Sequence, residues 1–363
     1  MTGDELLDVV ETYEAFGDHR AGSEAEQATA NWMADQLATR GLSTSLIPIP
    51  FDRYLTKSSL TADGQPIDHL PAYYEWTGTI DTTDVHIAAV DVRPGGHIGA
   101  LDAATAAARQ TGRAGSVLAT EHDNGSLIAV NRQVRPHGGH PTVLIAGRDL
   151  STVSAAGEVR LQLSATLGPG TAYTVEARNR PAENPLILTT PLTGWFGCAG
   201  ERGTGIAVLL ELVERFASEP LLVLATGAHE LDYFGVRRWV AETEVTPKAI
   251  VHVGASPGVD QIGVDGQRQL IRSRVAITDQ TGTIAEQITT ALEPAAFMVH
   301  TGTDRWMGES EVFCTLGRPM LSFTGNGIDF HTPEDRSPEV TSAHSLAIVA
   351  ESVANAVDAL IST

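Results

Sequence analysis

From Asn184 onward the chain alternates between two textures. Short apolar runs (PLILTT, LLVLATG, KAIVHVG, PMLSFTG) are separated by segments whose apolar residues recur every three to four positions. In GIAVLLELVERFA, the residues Ile206, Leu209, Leu210, Val213 and Phe216 fall on one helical stripe. TIAEQITTAL and TSAHSLAIVAESVANAVDALI read as helices in the same way. Short, continuously apolar strands followed by amphipathic helices predict a mostly parallel sheet covered on both faces. In such sheets the functional groups gather beyond the carboxyl ends of the strands.

The earlier part of the chain is different. Two helices are predicted at the N-terminus. The second begins at GSEAEQ, where Ser23 is placed to accept from first-turn amides and Glu26 follows three residues later. Ala30, Met33, Ala34 and Leu37 then share a face, and Gly41 closes the helix. Between about Tyr54 and Tyr173, β-like runs (VHIAAVDV, GSVLAT, TVLIAG) are split by Gly-, Pro- and His-rich turns around one helical stretch, LDAATAAARQTG. His137 and His140, in RPHGGHP, read as loop residues there. The expected fold is therefore α/β: a mixed, mostly parallel sheet sandwiched by helices over residues 1–53 and 174–363, with a β-rich domain inserted at 54–173. A length of 363 residues is consistent with two cores.

Composition narrows the partners. With 42% hydrophobic and 19% charged residues the chain is of globular type. A formal net charge of −21 and a pI near 4.8 argue against nucleic acid and anionic membrane surfaces. No apolar run approaches the about 20 residues of a membrane span. The acidic start MTGDELLDVVETYEAF lacks the basic and apolar regions of a signal peptide. Two cysteines, Cys198 and Cys314, lie outside any C-x-x-C pair, which fits a reduced thiol state and a cytoplasmic location.

Four strand ends carry side chains with chemistry: TTPLTGWFGCAGERGTG, GAHELDYFG, VHVGASPG and SFTGNGIDFHTPED. Converging on one crevice, they would bring together Glu201, His229, Glu230, His252 and His331. Carboxylates and imidazoles in that combination suit zinc or another divalent metal. The same residue types are also common as ordinary surface groups.

At these segments the chain resembles the zinc-dependent exopeptidases of the aminopeptidase and glutamate carboxypeptidase type, a group that includes glutaminyl cyclase. GDHRAGSEAEQATANWMADQL is similar to the opening R-x-x-G-S segment and helix, and AAARQTGRAGSVLAT to a helix-strand step of the protease-associated domain that many members insert. GERGTGIAVLLEL resembles D-D-G-S-G-V-A-x-L-L-E; GESEVFCTLGRPML resembles S-D-x-x-x-F…G-x-P; FHTPED resembles Y-H-T-x-x-D. The matches run in family order over nearly the whole chain. The resemblance implies an exopeptidase fold with a protease-associated-like insert.

It also implies where the family's two zinc ligands sets would fall. Pro191-Leu192-Thr193 stands at the H-x-D segment and Gly254 at a later Asp, so two ligand positions hold no ligand. Glu201 stands at the bridging Asp, Glu230 at the second residue of Glu-Glu, and His331 at the last His. These three would hold one zinc or other divalent metal, as in glutaminyl cyclase. His229 stands at the catalytic Glu, where an imidazole would carry the proton. Glu309 and Glu311 stand near pocket-lining positions, Trp195 and Trp306 would wall the pocket, and His252 would face the same side as Gly254.

Each residue has an ordinary alternative: Glu201 exposed beside Arg202 at a helix start, His331 as a turn residue, His229 as a remnant, His252 as a satisfied sheet histidine, the two glutamates solvated, the tryptophans in the core. Two functions therefore stand open. One is a one-metal hydrolase or cyclase acting on a peptide, small amide or N-terminal amine. The other is a non-catalytic relative that binds a ligand or partner through the old crevice or the insert; an enzyme with rebuilt, metal-free chemistry is a third possibility, so the cofactor is one zinc or other divalent metal, or none. Family members are often monomers or dimers.

Overall fold

The computed structural model describes residues 1–92, 97–121, 124–134 and 139–362; His137 lies outside them. The apolar runs form the centre of a ten-stranded sheet. Leu186–Pro191 pairs in parallel with Leu221–Thr226 on one side and Ala249–Val253 on the other, and Met320–Gly325 extends that parallel set. Antiparallel neighbours flank it: Val159–Arg178 beside Leu221–Thr226, and Arg274–Thr278 beside Met320–Gly325. The sheet is thus mixed around a parallel core, as expected for α/β alternation.

Strand periodicity divides the core in two. Leu221, Val223 and Ala225 face one side, packing with the helices Gly3–Glu14, Glu24–Thr39, Thr204–Arg215, Gly282–Leu292 and Ala343–Ile361. Leu222, Leu224, Ile187 and Ile250 face the other, against Val236 and Trp239 of Phe234–Glu242 and against Phe313. Helix Ala343–Ile361 corrects one expectation: by length and composition it could cross a membrane. Over half of its most apolar window, 56%, is buried within the protein, as for a core helix.

Helix Glu24–Thr39 starts as read, with the Ser23 side chain accepting from Glu26 N, and Gly41 ends it at φ +84°. The Glu26 carboxyl does not close the reciprocal half of the cap. It is buried and accepts instead from Tyr173 N at 2.8 Å and Gly22 N at 3.4 Å.

Two strands of 20 residues each, Ser43–Ala62 and Val159–Arg178, pair without a break from Ser43↔Arg178 to Ala62↔Val159. This ribbon runs straight through Tyr54 and Tyr173. Beyond it lies a separate four-stranded sheet in the order His69–Pro71, Thr142–Ala146, Gly115–Glu121, Val85–Asp91, with helix His97–Gln110 against it. Its two faces have their own apolar clusters: Val117 and Ala119 on one, Leu118 on the other. His140 is buried there, its N–H reaching Glu75 at 3.4 Å.

Leu209 is fully buried in the larger core cluster, whereas Ile262 is 70% exposed. Leu209→Ala is expected to cost about 2–5 kcal/mol in urea melts, and Ile262→Ala less than about 0.5 kcal/mol. Equal small effects would show that the helix–sheet layer does not hold the fold together.

Candidate functional site

Because the four central strands are parallel, their carboxyl ends share one edge, and the loops leaving them build the site. These loops are tightly bent. Phe196, Cys198, Ala228, Asp232, Tyr233, Ser256 and His331 all adopt positive φ, a conformation that costs a non-glycine residue about 1–3 kcal/mol unless its surroundings enforce it. Glu201 lies on a one-turn π-helix, Ala199–Gly203. Asp335, from the FHTPED run, holds that turn by accepting from Gly200 N at 2.7 Å and Glu201 N at 3.0 Å. A Cβ at Gly200 would meet Asp335 Oδ1 at 2.6 Å, so the turn needs glycine there.

The residue after Glu201 dominates the centre. Arg202 is buried, and its Nη2 lies 2.7 Å from Glu201 Oε1 and 3.7 Å from Glu230 Oε1. Its Nε donates to Thr193 O at 2.8 Å. His331 Nε2 approaches the same Glu201 oxygen at 3.2 Å, and its Nδ1 lies 3.1 Å from Ala129 O. Each ring nitrogen of His331 thus faces an acceptor. The Cys198 thiol donates to the other Glu201 oxygen at 3.4 Å. Burial alone would raise the Glu201 carboxyl, but Arg202 first and then His331 outweigh it and hold it well below the usual range. Burial works against the Arg202 charge as well, yet the Glu201 carboxylate beside it keeps it cationic. Burial pushes the Glu230 carboxyl up, against the smaller lowering effects of its neighbours, Arg202 and Thr193 among them. Burial also pushes the Cys198 thiol well above its ordinary value, which leaves it an inert group.

A second polar chain lies beside the first. Glu309 accepts from Thr226 Oγ1 at 2.6 Å and faces His229 Nδ1 at 3.0 Å. Burial pushes the Glu309 carboxyl up to about 7. Burial, helped by Arg202, lowers His229 to about 3, so its imidazole is neutral. His252 is buried with Nδ1 at 2.9 Å from Ser322 Oγ, and burial lowers it to about 4. The His252 ring also crowds Gly254: a Cβ there would lie 2.7 Å from His252 Cε1 and 2.7 Å from Phe323 O. Glu311 stands outside this group, exposed and 3.4 Å from Arg237. Trp195 is buried, its Nε1 donating to Asn131 Oδ1 at 2.7 Å. Trp306 is half-buried against the cluster around Phe313.

The structure therefore brings Glu201, Glu230 and His331 around Arg202, and pairs His229 with Glu309. Among the described residues, the metal-capable group of three whose ligand atoms all lie within 4.8 Å is a different one: Cys198, Glu201 and Asp335. Two features escaped the sequence reading. Arg202 was noticed only as a neighbour of Glu201; the signal was the reversed charge in G-E-R-G-T-G where the family pattern has a second Asp. The other is the segment 126–132, uncharged up to Arg132, which crosses the strand ends. Ala129 N donates to His331 O at 2.9 Å and Arg132 N to Glu230 O at 2.9 Å, and residues 126–130 are buried.

This architecture is shared with solved structures. A zinc aminopeptidase from Bacillus subtilis superposes with a TM-score of 0.75 at 17% identity, covering 98% of this chain and 95% of that one. The chain has the zinc-aminopeptidase fold. A peptidase M28 precursor from Shewanella amazonensis gives 0.72 at 17% identity, with 99% and 96% covered. A glutaminyl cyclase from Porphyromonas gingivalis gives 0.52 at 13%, with 99% and 98% covered. No protein-family model and no curated protein sequence matches this chain.

The Glu309 carboxyl yields a pH test. Its folded value, about 7, lies above the ordinary 4.5, so the stability it contributes is full below about 4.5 and is lost as pH rises through about 7. In Glu309→Gln the fall in Tm between pH 5 and pH 8 is expected to be smaller than in the native chain. An identical fall in both would place the titration elsewhere.

Proposed function

We infer that this chain is a metal-independent, non-catalytic protein built on the zinc-aminopeptidase fold, with its ligand surface outside the strand-end crevice. The observation that carries this is the Arg202 guanidinium, seated 2.7 Å from Glu201 and 3.7 Å from Glu230. The cation that a peptidase takes from solution is here part of the chain. A divalent ion brought to within about 4 Å of that guanidinium would be repelled by on the order of 8 kcal/mol at an effective dielectric of about 20. Only a strong ligand set offsets a cost of that size.

The ligand set available is weak. Zinc needs donor atoms at about 2.0–2.2 Å in tetrahedral order. Glu201, Glu230 and His331 do not converge to that degree. His331 turns Nδ1 to a backbone carbonyl, as a metal ligand also would, but its Nε2 already lies 3.2 Å from the Glu201 carboxylate. At Gly254 no side chain fits without displacing His252. These residues do not fit a zinc site, and no hydrolytic step is assigned to them. An N-terminal amine is not served by Glu309 either, since both of its oxygens are engaged by Thr226 and His229.

Metal content decides the matter. Protein purified without chelator and dialysed against micromolar zinc is expected to retain well under one equivalent by elemental analysis, and to leave aminoacyl-anilide substrates intact. One equivalent, lost in Glu230→Ala, would restore the one-metal hydrolase with His229 as proton carrier. Arg202→Met is expected to destabilise the fold by about 3–5 kcal/mol in denaturant melts, because it strands the buried Glu201 carboxylate. A neutral substitution would show that Arg202 does not neutralise the site.

A further inference from the structure

A second concave region lies on the ribbon that leads away from the main sheet. Its volume is about 540 Å³, and Arg20, Arg53, Lys57, Tyr73, Ser164 and Thr166 line it. Among the described residues its lining contains no Asp or Glu. That runs against the composition of a chain with 45 acidic residues and 24 lysines and arginines. Lys57 is also one of only two lysines in the sequence.

The ribbon explains the grouping. Alternate residues of a strand share a face, so Arg53, Leu55 and Lys57 stand in one row. Across the ladder they oppose Gly168, Thr166 and Ser164 respectively. The row therefore pairs cations with small or hydroxyl-bearing residues. Glycines leave room for the Arg53 stem: a Cβ at Gly170 would lie 2.7 Å from Arg53 Cβ, and one at Gly22 would lie 3.3 Å from its Cδ. Ser164 Oγ is 3.1 Å from Thr79 Oγ1, which fixes the hydroxyl row.

Of the three cations, Arg20 has an ion-pair partner among the described residues. Arg20 pairs with Asp18 at 2.6 Å and sits over the Trp195 ring, 5.8 Å from its centroid. Among the described residues Arg53 and Lys57 form neither an ion pair nor a hydrogen bond, although the buried Glu26 carboxyl lies near enough to feel the Arg53 charge. Tyr73, which packs edge-on to Trp195 at 4.9 Å, gives the groove an aromatic wall.

We propose that this groove is a binding site for a small organic anion, held by Arg53 and Lys57 through a carboxylate or phosphate group, with the hydroxyls of Ser164 and Thr166 as further donors and the Tyr73 and Leu55 side chains against its apolar body. Charge-assisted hydrogen bonds from guanidinium and ammonium groups supply the recognition. The site goes beyond the metal-free reading and does not depend on it: zinc content tests the one, anion binding the other.

Isothermal titration of the full-length protein with phenyl phosphate, benzoate and neutral benzamide tests the proposal. Saturable binding of an anion, and none of benzamide, is expected. Arg53→Gln and Lys57→Gln should each weaken it about tenfold, the size of one lost charge-assisted hydrogen bond. Lys248→Gln is the control: that ammonium pairs with Glu219 at 3.5 Å and should leave binding unchanged. Tighter binding of phenyl phosphate would identify the group as a phosphate, and of benzoate as a carboxylate; either supports the site. Absence of saturable binding to the folded native chain, or binding that survives the double substitution Arg53→Gln with Lys57→Gln, would overturn it.

Discussion

The ion pair between Glu201 and Arg202 sets the electrostatics of the whole strand-end edge. Buried charge is tolerated only when it is compensated, and here the two partners are consecutive residues folded against each other by a single π-turn. The guanidinium keeps Glu201 ionised and helps to keep His229 neutral. Asp335 completes the arrangement from the other side of the turn by engaging two backbone N–H groups. The positive-φ residues around the edge are held in place by this network and by the packing beneath it.

Much of the architecture was legible because it rests on periodicity. Runs such as LLVLAT are apolar at every position because both faces of the strand are covered, and the helices show their stripe because only one face is. The strand ends were legible too, as turns carrying His and Glu. What was not legible was which side chain reaches which. Glu201, His331 and Glu230 are distant in sequence, and only the fold decides that Arg202 lies among them. Glu311 illustrates the same limit: it is two residues from Glu309, but one is buried against His229 and the other is exposed beside Arg237. Helical geometry places such neighbours on different faces, and no pattern in GESEVF marks which faces inward.

The ribbon was harder still. Its strands carry prolines, hydroxyls and charges in a mixture that reads as irregular β-structure. Their unbroken pairing over 20 residues depends on partners 97 to 135 positions apart. The cationic row on it emerges only when the register is known, since Arg53 and Lys57 acquire their hydroxyl neighbours from the opposite strand.

The segment that crosses the strand ends has a kinetic consequence. Ala129 and His331 are linked through backbone and ring contacts although 202 residues separate them along the chain. Contacts of such long range form slowly, because the loop they close must first be searched. The central strands condense around one large apolar cluster, whereas the four-stranded sheet has one cluster on its far face and shares another with the end of the ribbon. The crossing segment docks only when both are in place. The strand-end edge is therefore expected to assemble late, and a chain arrested just short of that point would carry Glu230 and His331 still open to water.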